Sequence, residues 1–218
     1  MNYSETNINA YNTDESIEKY SSYHLYPIEK YLFNKYYKVG ENILDLSCGA
    51  GRTTVRLHEL GMKVKGVDLS ESLIKVAQNR FPYIEFCTGD YTTFHDSNLY
   101  DHILISHNGI DYTYPETNRK TTYQNVWSMM KPGGTFIVSS HNIKSLYCSP
   151  YYFLHYSRTI WMMKNYLYAF REKKYIKDMG MYTHYISPKS MIEEVTKVKF
   201  HFVEMVGFRN SHNYLFNK

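Results

Sequence analysis

Three aspartates close three short apolar runs at nearly equal intervals. Asp45 ends "NILD", Asp68 ends "KVKGVD" and Asp90 ends "IEFCTGD", with separations of 23 and 22 residues. A strand, a helix and their turns consume about that much chain. An open α/β sheet would therefore bring all three acids to one crevice, beyond the carboxyl ends of its strands, where such sheets hold ligands. Between the first two acids lies the turn Gly49-Ala50-Gly51-Arg52-Thr53-Thr54. A dinucleotide loop needs G-x-G-x-x-G, its third glycine letting helix pack closely on strand, and that glycine is absent here. Asp45 also precedes the turn by four residues, where a carboxylate would repel a pyrophosphate and attract a ligand carrying an ammonium group. Further along, His107, Asp111 and His141 fall near the ends of two later apolar runs. Each is a candidate general base. Nothing shows H-E-x-x-H or comparable spacing, so no metal centre is expected.

The elements that must position these residues alternate. "YPIEKYLFNKYY" (26–37), with Pro27 at a first helical position, predicts a covering helix. "NILDLS" and "KVKGVDLS" predict strands, each followed by a helical pattern: "RTTVRLHEL", and "ESLIKVAQNRF" capped by Ser70. The rhythm continues through strands at 84–90 and 102–108, a helix near 118–130, a "KPGG" turn and a strand at 135–142. Such alternation predicts a doubly wound, mostly parallel sheet, because parallel neighbours need crossover helices. The chain then changes style, to helix "SPKSMIEEVTKV", strand "FHFVEMVGF" and a short return "NYLFNK". The last two are close enough to pair as an antiparallel edge hairpin.

At 218 residues with net charge +4, the chain fits one domain and lacks the dense basic composition of a dedicated nucleic-acid binder. Three cysteines, odd in number and without C-x-x-C spacing, point to a reducing, cytoplasmic setting. No secretory leader or membrane span is read from the sequence. Between residues 143 and 190 there are eight Lys or Arg and two acids, a net +6 that leaves −2 for the rest. Within that stretch Phe153, Tyr156, Ile160, Met163, Leu167 and Phe170 recur at helical spacing. The expectation is a helical lid whose charge would draw an anionic small molecule, such as a nucleotide-linked sugar.

Residues 41–142 resemble the core of the class I S-adenosylmethionine-dependent methyltransferases, particularly the small-molecule branch. The likeness is carried by "ILDLSCGAGR", "GVDLSESLIKVAQ", "CTGDY", "YDHILISHNGID" and "MKPGGTFIVSS", in that order, and later by "HYISPKSMIEEVTKVKFHFVEMVGF". It implies a Rossmann-like seven-stranded sheet with an antiparallel C-terminal hairpin. The likeness leaves out residues 1–25 and 143–180; with the reading of those segments, the expected organisation of the single domain is a helical cover at 1–40, a cofactor-binding core at 41–142, a substrate lid at 143–180 and a last helix and hairpin at 181–218. The likeness further implies that S-adenosylmethionine binds through Asp45, Ser47, Gly49, Gly51 and Arg52, leaving S-adenosylhomocysteine as product. Asp68 and Leu69 would meet the ribose, Asp90 and Tyr91 the adenine, and Ser106 and His107 the methionine end. The implied reaction is methylation of oxygen or nitrogen on a small polar molecule. Alternatives are an RNA or protein methyltransferase, or a non-catalytic partner subunit that binds the cofactor. Oligomeric state is not legible.

Overall fold

The runs that end in acid form the middle of a seven-stranded sheet. The computed structural model describes residues 23–144, 175–178, 181–208 and 211–218. In chain order the elements are α1 (Pro27–Tyr36), β1 (Asn42–Leu46), α2 (Arg52–Glu59), β2 (Lys63–Asp68), α3 (Glu71–Arg80) and β3 (Glu85–Thr88). After these come β4 (Tyr100–Ile105), a 3-10 turn (Gly109–Tyr112), α4 (Glu116–Met129) and β5 (Met130–His141). The chain closes with β6 (Tyr175–Asp178), β7 (Met181–His184), α5 (Pro188–Thr196), β8 (His201–Phe208) and β9 (Ser211–Asn217). The sheet order is β3-β2-β1-β4-β5-β9-β8, parallel through β5 and antiparallel in its last two strands. Order reverses between β1 and β4, so the crevice expected of a doubly wound sheet opens there.

Alternation along the strands divides the core. Leu44, Leu46, Ile103, Ile105, Phe136 and Val138 pack towards α4 and α5. Ile43, Leu104 and Ile137 pack towards α1 and α2 through Leu32, Phe33 and Leu57. Asp45, one position from Leu44 and two from Ile43, therefore points to the α2 side. Ser139 and His141 share the face of Ile137, the α1 side.

The C-terminal hairpin lies at the sheet edge, as the sequence reading expects: β9 lies between β5 and β8, with Tyr214, Leu215 and Phe216 all buried, and β8 is the outermost strand, where Phe202, Val203 and Met205 are about 40% exposed. Two features differ from the sequence reading. The "KPGG" turn is absorbed into β5 as a bulge, since Met130 pairs with Tyr100 while Thr135 already pairs with His102. Gly133 there takes φ 78°, a conformation that favours glycine. Finally, β6 and β7 form a two-stranded sheet at the end of the segment read as a helical lid. The remainder of that lid, with the Phe153 to Phe170 stripe, lies outside the described residues. Among the described residues no helix is long and apolar enough to cross a membrane.

Candidate active site

The loop after β1 is built from the backbone outward. Ser47, Gly49 and Gly51 all have positive φ (69°, 57° and 93°). The amides of Ser47 and Cys48 donate to the Val67 carbonyl at 2.7 and 3.1 Å, fastening the loop to β2. A side chain added at Gly51 would meet the Phe86 ring at 3.0 Å, whereas at Gly49 nothing lies within 4 Å. Gly51 is thus needed for packing and conformation, and the space over Gly49 is open to a ligand.

Two of the three aspartates border this loop. Asp45 is fully buried, and its Oδ2 accepts from the hydroxyls of Thr53 at 2.5 Å and Thr54 at 2.7 Å in the first turn of α2. Its Oδ1 is buried without a hydrogen-bond partner among the described residues. Burial pushes the Asp45 carboxyl up to about 6, although both threonines and Arg52 pull the other way. Asp68 accepts from the amides of Gly49 at 2.8 Å and Ser70 at 2.9 Å, and burial raises its pKa as well. Each carboxylate oxygen accepts more than one bond, so Asp68 retains capacity for a diol. Leu69 is half-buried beside it. Ser70 caps α3, its hydroxyl accepting from the Leu73 amide at 3.3 Å.

The other expected residues are distributed around the same edge. Asp90 accepts from the Thr92 amide and hydroxyl at 2.9 and 2.7 Å. Tyr91 donates its hydroxyl to the Gly109 carbonyl at 2.9 Å. Ser106 is buried, its hydroxyl 3.5 Å from that of Thr53. Arg52 turns to α1: its guanidinium grips Glu29 with both arms at 2.6 and 2.7 Å and lies 4.6 Å from the centre of the Tyr26 ring. The same Glu29 accepts from the Tyr26 amide at the start of α1. One bidentate pair thereby holds the covering helix against the loop. It also leaves the guanidinium at the start of α2 already paired with a carboxylate.

Next to the loop a cavity of about 500 Å³ opens between the start of α1, the ends of β4 and β5, and the start of β9. Tyr26 and Ile28 line one side, His107, Asn108 and Ser139 another, and Ser211 and Asn213 the third. His107 and Asn108 take consecutive left-handed conformations, φ 51° and 60°, a local cost that carries the chain off β4. His107 is exposed and stacks on Tyr26 at 5.9 Å. The Asn108 amide donates to the Ser139 hydroxyl at 2.6 Å.

Behind this wall lies a polar chain. Asp111 is fully buried and accepts from the Ser140 hydroxyl at 2.7 Å, the His141 amide at 2.6 Å and His141 Nδ1 at 2.8 Å. Arg119, also fully buried, lies 3.5 Å from Asp111. It donates to Glu194 at 2.8 Å, the Ile110 carbonyl at 2.7 Å and the Tyr123 hydroxyl at 3.0 Å. Of the three candidate bases, the structure joins Asp111 and His141, while His107 stands apart on the other side of Asn108. Sequence reasoning missed Arg119 and Glu194, because "NRKTT" reads as a solvated helix face. It also missed Thr53 and Thr54, although hydroxyls eight and nine residues after a buried acid in a strand-turn-helix are the signal that could have found them.

The loop fits S-adenosylmethionine better than a phosphate-bearing nucleotide. It offers open backbone at Gly49, an unsatisfied buried carboxylate oxygen at Asp45 and a second carboxylate at Asp68, with its nearby arginine already paired.

Comparison with known proteins agrees. The family described as "Methyltransferase domain" matches residues 43–134. A ubiquinone biosynthesis O-methyltransferase from Coxiella burnetii is 30% identical over 122 residues, covering 52% of this chain and 49% of that one. The chain spans about half the length of the curated relatives it matches, or somewhat less. Among solved structures, a S-adenosylmethionine-dependent methyltransferase from Methanosarcina mazei superposes with TM-score 0.68 at 19% identity, covering 89% of this chain and 98% of that one. The N-methyltransferase NodS from Bradyrhizobium japonicum, in complex with S-adenosylhomocysteine, gives 0.65 at 16% identity, covering 100% and 99%. Residues 43–134 match the methyltransferase-domain family, and the chain built around them has the Rossmann-like fold of the class I S-adenosylmethionine-dependent methyltransferases.

Proposed function

We propose that this chain transfers a methyl group from S-adenosylmethionine to an oxygen or nitrogen of a small polar molecule seated in the cavity beside the β1 loop. The observation that carries the reading is adjacency. Ser106, whose hydroxyl lies 3.5 Å from Thr53 at the start of α2, directly precedes the cavity-lining His107, and Arg52 of the same turn pairs with Glu29, which also lines the 500 Å³ cavity. Bound cofactor supplies a methyl carbon already activated by its sulfonium. The protein's task is then mainly to position the acceptor and exclude water. Asp45 would receive the ammonium group and Asp68 the ribose hydroxyls. Ser47, Gly51, Arg52 and Leu69 would shape the loop around them. Asp90 and Tyr91 would take the adenine, and Ser106 the methionine end. α1, pinned by Arg52 on Glu29, would roof the acceptor.

A nucleotide-linked sugar is our narrower proposal for the acceptor, resting on the positive charge between residues 143 and 190. The names of the relatives do not decide it, since they include O- and N-methyltransferases. The test is release of S-adenosylhomocysteine across panels of sugar nucleotides, phenols, amines and RNA. Turnover confined to RNA would replace the small-molecule reading, and cofactor binding without any turnover would favour a partner subunit. Asp68→Ala is expected to weaken S-adenosylhomocysteine binding by about 1 to 3 kcal/mol, because it strips hydroxyl donors and two loop amides of their acceptor. Calorimetry would check it, and an unchanged affinity would remove the ribose assignment.

A further inference from the structure

We propose that the acceptor atom is a hydroxyl oxygen and that His141 Nε2 takes its proton, with Asp111 as the residue that positions the ring. The inference rests on the methyltransferase reading above and narrows it.

Asp111 fixes the tautomer. A carboxylate can only accept, so the 2.8 Å contact with His141 places the ring hydrogen on Nδ1 and leaves the lone pair on Nε2. The ring cannot easily turn away, because its own backbone amide donates to the same carboxylate oxygen at 2.6 Å. Asp111 is in turn fixed by Ser140 and by Arg119, which Glu194 holds from α5.

Nε2 faces Asn108, a residue of the cavity wall. Its neighbour is the Asn108 side-chain amide at 3.2 Å, and Asn108 lines the cavity together with Ser139, which shares the β5 face of His141. Ser211, the register partner of His141 on β9, lines it too. Asn108 Oδ1 is buried with no hydrogen-bond partner among the described residues. An amide that donates to a neutral ring through Nδ2 can turn over and accept from a protonated ring through Oδ1. The unsatisfied oxygen is therefore the waiting partner of a proton on Nε2. Such an arrangement accommodates both protonation states of His141, as a general base requires.

An amine presents its own lone pair to the methyl carbon, whereas a hydroxyl reacts far better as it loses its proton. In the proposed step the acceptor hydroxyl takes the place of the Asn108 amide at the Nε2 lone pair, and its proton passes to Nε2 as the oxygen forms its bond to the methyl carbon. The carbon–sulfur bond breaks, its electron pair remains on sulfur as the neutral thioether, and His141 then releases the proton to water. General-base assistance of this kind contributes typically about 10² to 10⁴-fold.

The test compares wild type with His141→Gln and Asp111→Asn, using sugar nucleotides, catechol and inositol as hydroxyl probes and aniline and benzylamine as amine probes. Wild type is expected to methylate a hydroxyl. His141→Gln should lower kcat by about 10² to 10⁴-fold with KM and S-adenosylhomocysteine affinity within twofold. Nitrogen-15 imidazole spectra, read without any substrate, should show His141 with hydrogen on Nδ1 in wild type and a mixture of tautomers in Asp111→Asn. Turnover restricted to amine nitrogen, turnover of no probe, a His141→Gln rate within threefold of wild type, or hydrogen found on Nε2 in wild type would each overturn the proposal. Failure of wild type to bind S-adenosylhomocysteine would instead sink the methyltransferase reading beneath it.

Discussion

Replacing Arg119 with leucine is expected to cost about 3 to 5 kcal/mol of unfolding free energy, the loss usual when one partner of a buried ion pair is removed. The side chain has no exposed surface, and its guanidinium is shared among Asp111, Glu194, the Ile110 carbonyl and the Tyr123 hydroxyl. Leucine would leave Asp111 buried without its only nearby fixed cation among the described residues, and the Ile110 carbonyl without this donor. Against a total stability of about 5 to 15 kcal/mol, that is a large fraction. Arg119→Lys should recover only part of the loss, because an ammonium cannot spread five donors over four acceptors. Urea unfolding at neutral pH measures both variants. A loss below about 1 kcal/mol for Arg119→Leu would show that the network is dispensable to the fold.

This network also marks the limit of what the sequence discloses. The sheet, the crossover helices, the Ser70 cap and the convergence of Asp45, Asp68 and Asp90 on one edge were legible, because each follows from a local pattern of apolar runs, acids and turns. Arg119 was not, since its meaning comes from Glu194, 75 residues away, and from a fold that turns a polar helix inward. Asp111 and His141 were visible as single candidates, but their pairing required β5 to lie beside the turn after β4. The C-terminal edge hairpin was legible from the closeness of its two strands, and the consecutive buried Tyr214, Leu215 and Phe216 mark β9 as its inner strand, covered on both faces. The β6-β7 pair escaped because "YIKD" and "MYTH" are too short and polar to show alternation. Arg52 had the right position for the loop, and only the placement of α1 reveals that Glu29 claims it.

Asp45 should make apo stability and cofactor affinity respond to pH in opposite directions. Its folded pKa, about 6, stands above the ordinary carboxylate value of 3.8, so the fold favours the protonated form. The stabilisation from this group is complete below about pH 4 and is lost as pH rises through 6. The shift corresponds to about 3 kcal/mol. Asp45→Asn keeps the shape and removes the charge, so its stability relative to wild type should improve by up to about 3 kcal/mol between pH 4 and pH 8. Any fixed cost of burying the new amide cancels in that difference. A ligand ammonium beside the unsatisfied Oδ1 would reverse the balance, because it rewards ionisation. Wild-type affinity for S-adenosylhomocysteine is then expected to be about tenfold weaker at pH 5 than at pH 7, one decade per unit below the pKa. Asp45→Asn should bind more weakly with a flat profile over the same range. Thermal unfolding with and without ligand at matched pH values reads both effects. Parallel stability curves for the two proteins would contradict the buried, ionising carboxylate, and matching affinity profiles would separate it from the ammonium.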